Sequence, residues 1–489
     1  MASSRGNSLK RAGFCIPLFA ALLIAPLDAA LAHTSERAFI MLLPTRLYML
    51  GGGLAVAFSF VVMALIPMAS LRAIETARWR LGRLPRLRTE GWSLGSLLVV
   101  ITLVIAGHIG SRDPLANPLP LMVWTVWWVG LTLLHAVFGN LWHGLNPWRG
   151  LYRLLTGIPR FRRWREAPPF DYPPWLGYWP AVILFFAFTW YELIYPSPRD
   201  PAVLANAIAL YLVATLVAML AFGDRVWLRY GEAFSVFFRM ISWLSPLETA
   251  PETSRGAGRR LKTLWMRPPG IRLLKVGELP ASGLAFVLLA LASVSFDGLS
   301  RSFWWLGLVG VNPLEHPGRT AMVGINTLGL LAMFCALAAV YFAAAWLGRA
   351  IASPQPGKGG DLGRLVVSII PIAFGYQAAH YLLVFLVEAQ YAIRALSDPF
   401  ALGWNLFGTG DYYVITSFSA DQRSVTIIWN IQVMIIVVAH VLAVSIAHFL
   451  ALREAANLRR ALLSQAPMTM LMIGYTLFGL WLLSTPAAG

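Results

Sequence analysis

Ten apolar runs of 17 to 25 residues, separated by polar and basic blocks, pattern the chain. They lie at 47–69, 94–110, 119–139, 176–195, 203–222, 279–296, 324–348, 366–390, 427–451 and 468–486. About twenty residues of helix, at 1.5 Å each, cover the roughly 30 Å of hydrocarbon in a bilayer. Lipid offers the backbone no hydrogen-bond partner, so runs of this length predict α-helices that bond internally. The expected fold class is all-α, a polytopic transmembrane helix bundle of about ten spans. Ala233 to Leu247 is too short and too polar to cross, which predicts one interfacial or re-entrant helix.

Ahead of these runs the chain reads as a leader. Arg5, Lys10 and Arg11 precede an apolar stretch from Ala12 to Leu31, and Ala30-Leu31-Ala32 has the small-x-small form of a cleavage site. The division expected is a signal peptide over 1–32 and one transmembrane domain over 33–489, with His33 as the mature N-terminus.

Charge orders the spans. With the mature N-terminus outside, loops 70–93, 140–175, 223–278, 349–365 and 452–467 fall inside and hold 28 of the 39 Lys and Arg. The outside segments hold 8, and every inside loop exceeds every outside one, as the positive-inside rule requires. Both termini of the mature chain are therefore expected on the outer, periplasmic side of a bacterial inner membrane. The same distribution disposes of nucleic acid as the reason for a net charge of +17, because the basic residues flank spans instead of forming one patch.

Composition agrees: 58% of residues are hydrophobic and 12% charged, about half the charge of a soluble domain. The 20 tryptophans gather near span ends, where interfacial belts account for them. Two cysteines, Cys15 and Cys335, make no disulfide framework. Phosphate-cradling glycine motifs and internal repeats are absent, and no partner subunit can be read.

Polar groups within spans are costly and face cavities or partners. His380 and His440 each lie about halfway along neighbouring antiparallel runs, which predicts two imidazoles at one depth. They would share a metal, handle a proton together, or simply hydrogen-bond across a helix contact. Tyr376, one turn before His380, can orient it. His448, eight residues past His440, is about 12 Å further along the helix and cannot join it on one ion. Asp113, Glu192 and Asp297 gather carboxylates at the outer ends of spans, as further ligands, as a general base, or as helix caps and ion pairs. His33, as an N-terminal residue, would offer an α-amino group and an imidazole to copper. On the inner face Arg149 is expected to pair with Glu232.

Several short motifs then resemble one bacterial family of polytopic membrane proteins, those known as fenitrothion hydrolases. The motifs are Ser111-Arg112-Asp113-Pro114, Asn146-Pro147-Trp148-Arg149, Glu192 with Tyr195-Pro196, Gly231-Glu232-Ala233-Phe234, Phe296-Asp297-Gly298, Ala379-His380-Tyr381, and Ala439-His440 to Ala447-His448. With the leader ending in Ala-His they spread over residues 32 to 455. The resemblance implies a membrane-embedded hydrolase of apolar organophosphorus triesters that releases a nitrophenol. A divalent metal, zinc or copper, on His380 and His440 would supply hydroxide, with Asp297, Asp113 or Glu192 as ligand or base. Two other classes compete: a copper-handling or other metal-handling membrane protein using His33 and the buried pair, and a haem protein ligated by His380 and His440.

Overall fold

The computed structural model describes residues 45–85, 89–251, 261–312, 318–352, 362–419, 421–455 and 457–485. The leader and His33 lie outside the described residues. The helices that matter here are α1 (Thr45–Leu65), α2 (Thr89–Ile109), α3 (Pro118–Phe138), α4 (Pro147–Gly157), α5 (Trp179–Leu193), α6 (Pro201–Phe222) and α7 (Ala233–Leu244). They continue as α8 (Ala281–Ser300), α9 (Gly318–Ala352), α10 (Gly363–His380), α11 (Leu382–Ser397), α12 (Gln422–Glu454) and α13 (Leu458–Ser484).

All ten apolar runs fold as helices, and the chain is an all-α bundle with helices built to cross a bilayer. Among the described residues eight are individually long and apolar enough to span. The run at 366–390 is instead two helices, α10 and α11, bent by 59° at Tyr381. The run at 176–195 yields only the 15 residues of α5, about 22 Å of helix, so α5 stops short of a full hydrocarbon layer. Helix α7 is the short element expected from Ala233 onward; one face is almost wholly buried, under aromatic residues of α3 and α5.

Burial is inverted relative to a soluble bundle only at the rim. Leu54, Leu98, Leu210, Val217 and Leu328 are exposed on α1, α2, α6 and α9, the outward faces that lipid covers. Helix α8 is the hub: nearly every residue from Ser282 to Leu299 is buried, against α5, α9 and α10. Small residues let the helices close on one another; Gly375 of α10 meets Ala439 of α12 with no room for a side chain between them.

Two features escaped the sequence reading. At the basic end of the bundle β1 (Trp79–Pro85), β2 (Leu247–Pro251) and β3 (Leu261–Met266) form an antiparallel sheet in the order β1-β3-β2. Trp79 and Leu247 both align with Met266, Arg78 lies over the Trp265 ring at 4.7 Å, and Arg267 pairs with Glu248. Arg80-Leu81-Gly82-Arg83-Leu84 shows no strict alternation, and the register shifts between Arg80 and Gly82, so no strand pattern marks β1 in the sequence. Within α3, residues Met122–Leu131 are a π-helix. Its Thr125 donates a hydrogen bond to Glu388 of α11 at 2.7 Å, and Trp124 Nε1 donates to the Pro198 carbonyl at 3.1 Å.

Glu388 is buried and holds the half-exposed Arg199 at 2.5 Å as well, tying α11 to the loop ahead of α6. Arg199→Ala strands that carboxylate. The expected loss is about 1–3 kcal/mol, read as a lower thermal midpoint in detergent, and Glu388→Gln on the same background should restore part of it. Additive losses in the double variant would show that the two residues do not act as a pair.

Candidate functional site

Four helix termini converge at the end of the bundle away from the sheet. Asp297 stands one turn before the end of α8, where the helix dipole is unfavourable for a carboxylate. Arg301, four residues on, offsets this: its Nη2 lies 2.9 Å from Asp297 Oδ1. His380 is the last residue of α10, and its Nε2 lies 2.8 Å from Asp297 Oδ2. Tyr381, at the bend, has φ −90° and ψ 1°, the sparsely allowed bridge region that non-helical, often functional, residues occupy. Its hydroxyl lies 2.8 Å from Asp297 Oδ2 and 2.9 Å from Glu192 Oε1 near the end of α5. One hydroxyl proton serves one carboxylate at a time, so Tyr381 bridges the two acids. Arg319, at the start of α9, donates to the carbonyls of Glu192 at 3.0 Å and Tyr195 at 3.3 Å, closing the ring of termini.

Proton placement follows from this geometry. Asp297 faces a guanidinium and is 1% exposed, so it is the charged acceptor, and His380 donates its Nε2–H. His380 Nδ1 makes no hydrogen bond among the described residues, and the side chain is 23% exposed, enough to meet a small molecule. An imidazole fixed through one nitrogen by a buried carboxylate, with the other nitrogen open, is built to accept a proton.

Of the residues singled out in the sequence, Asp297, Glu192 and His380 come together. Asp113 does not join them by any direct bond: its Oδ1 accepts from the Leu115 amide at 2.9 Å, and it orders its own loop. His440 also lies elsewhere. Gln432 Nε2 donates to the Ala379 carbonyl, and the His440 ring packs 6.1 Å from that of Tyr376, so His440 sits about one turn from the level of His380. Its Nδ1 donates to the Ile436 carbonyl at 2.9 Å, its ring also packs 6.3 Å from Tyr475, and it is fully buried. The expectation of two imidazoles meeting at one depth fails because counting residues from span ends ignored the 59° bend, which sets His380 among helix ends. His448 takes the side chain of Gln465 at 2.9 Å, a structural contact. The expected Arg149–Glu232 pair does not form either. Glu232 caps α7, accepting from the amides of Phe234 and Ser235 and from the Tyr211 hydroxyl, while Arg149 bonds His143.

The donor set gives a divalent ion little to hold. Asp297, the central oxygen donor, has Oδ2 engaged by His380 and Tyr381, while Oδ1, which accepts no hydrogen bond, lies 2.9 Å from the Arg301 guanidinium, whose positive charge repels a cation. His380 Nε2 is held by Asp297 and His440 Nδ1 by the Ile436 carbonyl, while His440 Nε2 is buried without a hydrogen-bond partner. Among the described residues no three His, Cys, Asp or Glu gather at ligating distance.

Sequence reasoning named Tyr381 only within a motif and gave it no role, and it missed Arg301 and Arg319. The i,i+4 spacing of Asp297 and Arg301 was readable, whereas the bend that turns Tyr381 inward was not. Searches against family models, curated proteins and solved structures found no match to this chain.

Proposed function

We propose that the chain is a membrane-embedded hydrolase of apolar esters, organophosphorus triesters of the fenitrothion kind being the substrate class, with His380 as general base and Asp297 as its orienting carboxylate. The observation that carries this reading is the 2.8 Å bond between His380 Nε2 and the buried Asp297, with Nδ1 making no hydrogen bond among the described residues. The resemblance of the motifs around Asp297, Glu192 and His380 supports the substrate class. Water adds to phosphorus as His380 Nδ1 takes its proton; the P–O bond to the aryl group breaks and aryloxide departs; the imidazolium returns the proton to solvent. Nitrophenolate needs no acid to leave. Arg301 keeps Asp297 ionised beside the transient imidazolium, which that carboxylate stabilises.

A triester partitions into lipid, so a site within the bundle meets it where it is concentrated. By the positive-inside rule the sheet and its arginines face the cytoplasm of a bacterial inner membrane, which puts the Asp297 cluster towards the outer leaflet. Reporter fusions test this: alkaline phosphatase should be active when joined near residue 410 and inactive near residue 260. The reverse pattern would turn the protein over and put the cluster on the cytoplasmic side.

Purified protein should release nitrophenol from fenitrothion at a rate that a chelator leaves unchanged. Chelator-sensitive activity would replace the imidazole base with a metal-bound hydroxide. A second reading draws on the chain Glu192–Tyr381–Asp297–His380, which can pass protons between acids as a transporter's relay does. Proton flux across proteoliposomes without ester cleavage would favour it.

A further inference from the structure

A second feature lies at the other end of the molecule. A cavity of about 1160 Å³ opens between the loop before α4, the segment ahead of α7, and the first residues of α5 and α8. Arg149, Arg225, Arg229 and Arg239 all line it. Among the described lining residues Glu278 is the one carboxylate, and it has an interaction of its own. No ion pair joins these four arginines to a described carboxylate. Their partners are carbonyls, rings and a histidine: Arg239 donates to the Arg229 carbonyl at 2.6 Å, Arg149 to the His143 carbonyl at 2.8 Å, and Arg229 lies 5.2 Å from the centre of the Tyr230 ring. Arg149 Nε is buried with no hydrogen-bond partner.

Four guanidiniums around one cavity repel one another; Arg149 and Arg239 are partly buried, and Arg225 and Arg229 stand exposed at its mouth. Burial is the main cause that lowers the pKa of Arg149 from the ordinary value; the nearby Asp224 carboxylate opposes it and Arg153 adds to it. Arg239 is lowered in the same way, by burial first and with Arg229 as a repelling neighbour. Such a cluster is relieved by an anion with several acceptor oxygens, and guanidinium forks match phosphate better than any other common group. The volume lies just above the usual range for small-molecule pockets, so more than an inorganic ion fits. Trp175 and Trp179, on the rim, are exposed as interfacial tryptophans are, which sets the cavity at headgroup level.

We infer that this cavity is a phosphate-binding site, and its position favours the phosphodiester headgroup of an anionic phospholipid as the ligand. The surrounding aromatic walls would take the apolar part, and Arg149 Nε would gain an acceptor. Attraction of scattered loop arginines to an anionic surface is non-specific and grows with the number of basic residues near it. A cavity predicts more: one lipid, held saturably, and released by changing the arginines that line it.

The experiment uses the full-length protein in a neutral detergent. Native mass spectrometry and thermal unfolding would be followed with phosphatidylglycerol, phosphatidylcholine, glycerol 3-phosphate and inorganic phosphate. The expected result is one equivalent of phosphatidylglycerol bound, a raised thermal midpoint, and at least a tenfold weaker response to phosphatidylcholine. Arg149→Gln with Arg239→Gln should abolish this response, and Arg225→Gln with Arg229→Gln, both exposed and safer for folding, should weaken it. Arg160→Gln with Arg163→Gln, exposed on a short helix outside the cavity, should leave it intact. Saturable binding of glycerol 3-phosphate or phosphate without the lipid would keep the site and assign it a soluble ligand. Equal loss in the Arg160/Arg163 variant, or no saturable binding of any phosphate, would overturn the inference.

Discussion

Replacing His380 with alanine is expected to lower ester hydrolysis by on the order of 10²–10⁴, the range that a positioned general base contributes. Asp297→Asn should cost nearly as much, for three reasons that add. An amide can offer its NH2 to His380 and so favour the wrong tautomer, and it cannot stabilise the imidazolium that proton transfer creates. It also leaves Arg301 facing a neutral group at 2.9 Å, an uncompensated charge beside a buried site. Tyr381→Phe removes the one hydroxyl bond that the two carboxylates share but neither reacting group, and a drop of about tenfold is expected, matching the roughly 1–1.5 kcal/mol of one hydrogen bond. His440→Phe should leave the rate unchanged, since that ring bonds only its own helix and packs on tyrosines. Initial rates of nitrophenol release, alongside thermal midpoints to confirm folding, give the comparison. A folded His380→Ala protein of undiminished rate would leave the Asp297–His380 pair as architecture.

These expectations show how much the sequence held. The spans were legible because bilayer thickness and backbone satisfaction leave one solution for a run of twenty apolar residues. The acids were legible for the same reason: Glu192 and Asp297 stand out against apolar neighbours, and both enter the cluster. What could not be read was distance between helices. His380 and His440 look equivalent when counted from their span ends, yet a bend at Tyr381 and the register of α10 on α12 separate them. A bend of this kind follows from tertiary contacts, here the two carboxylates that hold the Tyr381 hydroxyl, and no local pattern encodes it. The arginines of the basic end were equally visible but were assigned to topology alone; that four of them surround one space depends on where α4, α7 and the segment between α6 and α7 pack.

The second large effect concerns packing, and two glycines on α13 separate it from simple helix propensity. A methyl group at Gly479 would occupy the position of the Tyr376 hydroxyl, which donates to the Tyr475 carbonyl at 2.8 Å. Tyr376 is 4% exposed and walled by His440 and Tyr475, so it has nowhere to retreat. Gly479→Ala therefore loses a buried hydrogen bond and overpacks the contact, a cost of about 2–4 kcal/mol in all. Gly474 lies five residues earlier on the same helix with nothing within 4 Å of an added methyl. There the alanine meets no obstacle and reduces the freedom of the unfolded chain, so Gly474→Ala should be neutral or stabilising by up to about 1 kcal/mol. Gly348→Ala on α9 should be worse than either, because its methyl would run into the Ser464 carbonyl, and backbone yields less than a side chain. Unfolding midpoints in one detergent, measured for the three variants, should fall in the order Gly474→Ala, Gly479→Ala, Gly348→Ala. If Gly474→Ala and Gly479→Ala were equally stable, α13 would not press on Tyr376, and the packing of α10, α12 and α13 around His440 would have to be redrawn.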